Sequence, residues 1–184
     1  MRHVLLTNDF PPKVGGIQSY LWELWRRLPD QDVVVMTSPY TGAREWDSEQ
    51  PYRVVRTREP VLLPHPGLAR RARRMARETG AKAFVIDPAV PLGILGPNLG
   101  LPYALVLHGA EVTVPGRLPG AQQLLRRALG GASLLIAAGG YPEAEARRCL
   151  RRARGRGEVG EIDEVRESDE VGEVGPPAVQ VPPG

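Results

Sequence analysis

Short apolar runs punctuate the first 150 residues at intervals that suit alternating strands and helices. His3–Thr7, Val33–Thr37, Tyr52–Arg56, Ala83–Ile86, Tyr103–Leu107 and Leu134–Ala137 read as strands. Several are continuously apolar rather than alternating, as strands are when both faces of their sheet are covered. Between them, Ile17, Leu21, Leu24, Trp25 and Leu28 recur at helical spacing and give one apolar face to a helix that Pro29 ends. Residues 67–79, 91–99, 120–129 and 142–153 read as further helices, with Gly93, Gly96 and Pro97 weakening the second of these. The alternation predicts the α/β class: a Rossmann-like, doubly wound and mostly parallel sheet. In such sheets ligands bind beyond the carboxyl ends of the strands, so the residues just after each strand carry the most interest.

The pattern breaks at Gly155. Residues 155–177 are a loose repeat of Glu-Val-Gly units, highly charged and without an aromatic residue. Such a stretch cannot bury enough surface to offset chain entropy and reads as a disordered acidic linker or insertion. Residues 178–184, AVQVPPG, resume a short strand-like run. Three units are therefore expected: a domain over 1–154, the acidic segment 155–177, and a connection beginning at 178.

Composition narrows the function classes. With 184 residues and 42% hydrophobic content the chain can build the core of one α/β domain. Its one cysteine, Cys149, excludes an internal disulfide framework and a Cys-based zinc site, and is expected to be structural. No run approaches the ~18 apolar residues of a membrane span. The opening MRHVLLTNDFPP has too short an apolar run for a secretory signal, so a cytoplasmic location is expected. The net charge of +3 divides unevenly: residues 155–184 carry −6 and residues 1–154 carry +9. Only Lys13 and Lys82 among the 24 basic residues are lysine, a bias of the whole chain that reduces the significance of any single arginine.

Three motifs could carry chemistry. In Thr7–Tyr20, TNDFPPKVGGIQSY, a strand ends, a Pro-Pro turn follows, and Gly15-Gly16 opens a helix. Glycines admit close approach of a ligand, and the first N–H groups of a helix attract anions, phosphate above all. The same pair also serves as a plain tight turn, and it is neither a G-x-G-x-x-G fingerprint nor a Walker loop, which counts against a dinucleotide enzyme. In Leu107–Glu111, LHGAE, His108 stands where a parallel sheet places its ligands. An imidazole there can act as a base or donate to a hydroxyl or phosphate, or it can be a satisfied strand-end histidine. Glu111 has the same two readings. His3 and His65 have no comparable placement and are expected to be structural.

The third motif is GLARRARRMAR, residues 67–77. On a helix, Arg70, Arg73, Arg74 and Arg77 share one face while Leu68, Ala72 and Met75 share the other. The stripe suits anionic lipid head groups at ~1 kcal/mol per basic residue, or is simply a solvated face. With no interleaved aromatics to stack bases, nucleic acid is not expected as a partner. Arg126, Arg127, Arg147, Arg148, Arg151 and Arg152 read as plain surface. Asp9 and Asp87 follow strands and could line the cleft. No carboxylate pair fits a two-carboxylate glycosidase and no ligand cluster fits a metal.

TNDFPPKVGGIQSY, then HGAEV, then RLPGAQQLLRRAL, in that order and spacing, resemble the N-terminal domain of retaining nucleotide-sugar glycosyltransferases of the two-domain GT-B fold. The likeness is closest to the actinobacterial GDP-mannose-dependent mannosyltransferases of phosphatidylinositol mannoside synthesis, and covers residues 1–152. The resemblance implies that Gly15 and Gly16 approach the donor diphosphate. It places His108 near the transferred sugar and Asp9, Gln18 and Glu111 on the acceptor side. It puts Arg70, Arg73, Arg74 and Arg77 against an anionic membrane, peripheral on the inner face of the plasma membrane. The resemblance further implies GDP-mannose as the donor, a substrate, with no cofactor and no metal, and a phosphoinositide-type lipid as the acceptor. Transfer would rest on positioning and on electrostatic support of the departing diphosphate rather than on a carboxylate nucleophile.

Two segments depart from the family. Ala137–Gly140 stands where relatives carry a polar Ser/Thr-type stretch, and the acidic segment replaces a short connection. Because the family's nucleotide-binding residues lie mostly on a second domain, the expectation is a half-enzyme, inactive without that domain or a partner chain. The alternatives are a non-catalytic module binding anionic lipid, or a GT-B transferase with another donor and acceptor.

Overall fold

The structure, a computed structural model, describes residues 1–109, 121–154 and 179–180. Seven strands form one sheet: β1 (His3–Thr7), β2 (Val33–Thr37), β3 (Arg53–Arg56), β4 (Ala83–Asp87), β5 (Tyr103–Leu107), β6 (Leu134–Ala137) and β7 (Val179–Gln180). Their spatial order is β3-β2-β1-β4-β5-β6-β7. The first six are parallel and β7 runs antiparallel beside β6. The sheet is thus the Rossmann-like, doubly wound one expected, with an antiparallel strand at its edge. The strand order reverses between β1 and β4, and the crevice at that switch point is where this architecture accepts ligands.

Among the described residues five helices accompany the strands: α1 (Gly16–Trp25), α2 (Ala43–Ser48), α3 (Pro66–Thr79), α4 (Ala121–Gly130) and α5 (Gly140–Arg154). The apolar strands bury both faces. Val4, Leu6, Phe84, Ile86, Leu105 and Leu107 pack with Leu68, Ala72 and Met75 of α3 and Leu125 and Leu129 of α4. Leu5, Val35 and Val106 point the other way, onto Leu21 and Trp25 of α1 and onto Phe10 and Tyr52. Residues 92–98 form a 3₁₀ turn rather than an α-helix. Their glycines explain why: a Cβ on Gly96 would stand 2.4 Å from the Tyr103 ring, and one on Gly93 would stand 2.8 Å from Leu105. The missing side chains leave room for Leu105 and Tyr103 against this segment.

The helix α2, AREWDS, is absent from the sequence reading. Six residues with one apolar pair offer no 3.6-residue period, and the helix is held by its tertiary partners. Trp46 stands edge-on to Phe10 at 5.6 Å, and Asp47 pairs with the Arg56 guanidinium at 2.8 Å.

Candidate functional site

Three central strands end in polar residues that have no solvent to face. Thr7 closes β1, Thr37 closes β2 and Asp87 closes β4, and all three are buried. Thr7 pairs in register with both Thr37 and Asp87. Apolar strands that end in buried polar groups at a switch point mark the part of the core turned over to binding rather than packing.

Thr7 Oγ1 donates to Asp87 Oδ2 at 2.7 Å and accepts from the Asp9 backbone N–H at 2.8 Å. The other carboxylate oxygen, Asp87 Oδ1, lies 2.6 Å from Nε2 of His108, which follows β5. Burial pushes the Asp87 carboxyl up, while the hydrogen bonds from His108 and Thr7 pull it down. The Tyr20 ring, from α1, stands edge-on to the His108 ring at 5.8 Å, 86° between planes. Its phenol is pushed up by burial and by the Asp87 charge. The Tyr20 hydroxyl is buried and has no hydrogen-bond partner among the described residues. His108 is therefore a hydrogen-bonded histidine at a strand end, and its partner is a carboxylate on the neighbouring strand.

The glycine motif lies beside this dyad. Gly15 precedes α1 with extended backbone, so its φ alone does not demand glycine. A Cβ on Gly15 would stand 2.3 Å from Oε1 of Gln18 and would displace the end of that side chain, whereas among the described residues one on Gly16 would meet nothing within 4 Å. Gln18 is buried, and its Nε2 donates to Asp9 Oδ1 at 2.6 Å. Lys13 Nζ donates to the same oxygen at 2.7 Å. Asp9, Lys13, Gln18 and Gly15 thus form one polar knot just before and at the start of α1. The sequence reading singled out Asp9, Gln18, Gly15, Gly16 and His108; the structure brings them to one end of the sheet. Glu111 lies outside the described residues, as does the segment 155–177. Thr7, Lys13 and Tyr20 were not singled out. The polar residue closing each apolar run was the signal that could have found Thr7.

Asn8 joins this region to α3. Its side chain donates Nδ2–H to the Leu62 carbonyl at 3.0 Å and accepts the Leu62 N–H at 2.7 Å. Leu62 is thereby held inward while its neighbours Val61 and Leu63 are exposed, 52% and 56%. His65 then caps α3, with Nδ1 accepting from the N–H groups of Gly67 and Leu68. Arg70, Arg73, Arg74 and Arg77 are exposed on that helix and Leu68, Ala69, Ala72, Met75 and Ala76 are buried. Arg74 reaches Glu78 at 3.6 Å, and Arg71, off the stripe, pairs with Glu59. Among the described residues no cluster of three or more His, Cys, Asp or Glu could hold a metal, and no helix is long and apolar enough to cross a membrane.

No protein-family model matches the chain. A Mycobacterium tuberculosis GDP-mannose-dependent alpha-(1-6)-phosphatidylinositol monomannoside mannosyltransferase is 37% identical over 150 residues, 76% of this chain and 39% of that protein. The Mycolicibacterium smegmatis protein of the same name is 37% identical over 132 residues, 67% of this chain and 34% of its own. A Corynebacterium glutamicum GDP-mannose-dependent monoacylated alpha-(1-6)-phosphatidylinositol monomannoside mannosyltransferase is 32% identical over 130 residues, 67% of this chain and 34% of its own. The solved structure of Anabaena HepE in complex with UDP matches with a TM-score of 0.58 at 16% identity, over 81% of this chain and 41% of that one. That likeness is one of fold: a Rossmann-like α/β sheet as found in GT-B glycosyltransferases.

Fold and sequence thus point the same way: in both, this chain is similar to part of a glycosyltransferase. Its sequence resembles that of the actinobacterial phosphatidylinositol-mannoside mannosyltransferases, the likeness that its TNDFPPKVGGIQSY motif indicated. It spans about two fifths of the length of those relatives.

Proposed function

We propose that this chain is the acceptor-side domain of a retaining mannosyltransferase that moves mannose from GDP-mannose to a phosphatidylinositol mannoside at a membrane surface. The observation that carries the reading is the His108–Asp87 pair, set at the switch point beside the amino end of α1. In this reading the N–H groups after Gly15 and Gly16 meet the donor diphosphate, where the helix dipole favours negative charge. His108 faces the transferred sugar. Asp9, Gln18 and Glu111 take the acceptor's hydroxyl groups. Residues 155–177 serve as an acidic linker, and most nucleotide contacts come from a second domain or a partner chain.

The deciding measurement is turnover of GDP-mannose on a phosphatidylinositol monomannoside acceptor. The expected result is no turnover by residues 1–184 and robust turnover once a nucleotide-binding half is joined. Turnover by this chain alone removes the claim of a half-enzyme, and none after completion removes the assignment.

The exposed stripe Arg70, Arg73, Arg74 and Arg77, with exposed Val61 and Leu63 preceding its helix in the chain, supports a peripheral location on the cytoplasmic face of the membrane. Four such charges supply about 1 kcal/mol each toward an anionic surface, and salt screens them. The same stripe supports a second reading, a lipid-binding module without catalysis, in which binding survives but no completed form turns over donor. Flotation with phosphatidylinositol vesicles should capture the chain at low salt and lose most of it when all four arginines become glutamate. Unchanged flotation removes the membrane role of the stripe.

A further inference from the structure

Asp87 has no exposed surface, yet it carries a carboxyl group at the end of a core strand. A charge in such a place is expensive unless each oxygen is satisfied by a donor. Among the described residues each oxygen faces one partner. Thr7 supplies the first: its Oγ1 accepts the Asp9 N–H, and its hydroxyl proton goes to Asp87 Oδ2, since a carboxylate oxygen can only accept. His108 Nε2 faces the second oxygen at 2.6 Å.

We propose that Asp87 is a positioning residue for His108, with Thr7 as its anchor. Asp87 Oδ1 accepts the Nε2–H of the imidazole. That fixes the ring's orientation, makes Nδ1 the basic nitrogen of the neutral ring, and steadies the ring when it carries two protons. The proposal rests on the reading of His108 as a residue of the transfer site. The device spans three strands, with Thr7 from β1, Asp87 from β4 and His108 after β5. It begins at the backbone of Asp9, in the loop that leads to Gly15 and Gly16. The orientation of the imidazole and the shape of the glycine turn are thus tied through two buried side chains.

The anchor makes the proposal sharply testable. In Asp87→Asn, Thr7 still needs an acceptor, so it holds the amide oxygen and turns the amide nitrogen toward His108. Nε2 must then accept, and the proton moves to Nδ1. Nitrogen-15 histidine NMR on the chain at neutral pH should show His108 protonated at Nε2 in the wild type and at Nδ1 in Asp87→Asn. Adding Thr7→Val to that variant removes the constraint, frees the amide to rotate, and should restore an Nε2–H population. Nδ1–H in the wild type overturns the proposal without any variant, as does an unchanged tautomer in a folded Asp87→Asn.

In the completed enzyme Asp87→Asn should lower kcat by about 100-fold or more while the KM for donor moves little. A reversed tautomer with unchanged turnover keeps the pairing of Asp87 with His108 and strikes instead at the role of His108 in transfer.

Discussion

The two ends of the sheet each hold a nearly buried histidine, and the pair differ in the company they keep. His3 opens β1 at the amino end. Its Nε2 accepts the Trp25 indole N–H at 2.8 Å, and its Nδ1 lies 3.2 Å from the Met1 carbonyl. An indole can only donate, so this ring must stay neutral to keep its bond, and burial lowers its proton affinity. His108 stands at the carboxyl end against a carboxylate, which welcomes the protonated ring. Residue type and burial are alike; the partner decides whether an imidazole serves packing or chemistry. His65 adds a third case. It precedes α3 and spends Nδ1 on two backbone N–H groups.

The largest effect that would sharpen this contrast is on catalysis. His108→Ala in the completed enzyme should slow transfer by about 10²–10⁴-fold, with donor affinity nearly unchanged, and His3→Gln should leave transfer within a small factor. Steady-state kinetics beside donor titration checks this, and equal losses in rate and donor affinity would reduce His108 to a binding contact.

Next in size is a pH effect on stability at the opposite end. The folded His3 lies below its ordinary 6.5, so the unfolded chain takes up a proton that the native ring refuses. Its contribution to stability is complete above that value and is lost as pH falls below it, by at most about 1.4 kcal/mol per pH unit. Urea unfolding between neutral and mildly acidic pH should therefore be less steeply pH-dependent in His3→Gln than in the wild type. A steeper dependence in the variant would reverse the assignment. The smallest effect belongs to the cap: His65→Ala should cost about 1 kcal/mol in urea unfolding and leave turnover untouched.

The sequence displayed this sheet clearly because its strands are covered on both faces. His3–Thr7, Val33–Thr37, Tyr103–Leu107 and Leu134–Ala137 are the same in pattern and in structure. Continuous apolar runs have sharp ends, and β4 gained only its buried terminal Asp87. His108 was visible as the polar residue after a strand. Its partnership was not, since Asp87 and His108 lie 21 residues apart and Thr7 lies 80 before Asp87. Only the lateral order of strands brings them together, and a linear pattern does not carry lateral order. The knot of Asp9, Lys13 and Gln18 was half legible for the opposite reason. Its members are close in sequence, but the folding back of Gln18 over Gly15 depends on side-chain rotamers that no periodicity reports.

The clamp between Asn8 and Leu62 has a consequence for how this molecule ages. One side-chain amide both gives and takes a hydrogen bond, and asparagine slowly loses ammonia in water to become an acid. After that change the nitrogen that held the Leu62 carbonyl would be an oxygen repelling it. Chemical wear at a single atom would thus be felt first in the turn that displays Val61 and Leu63, long before the sheet beneath had noticed.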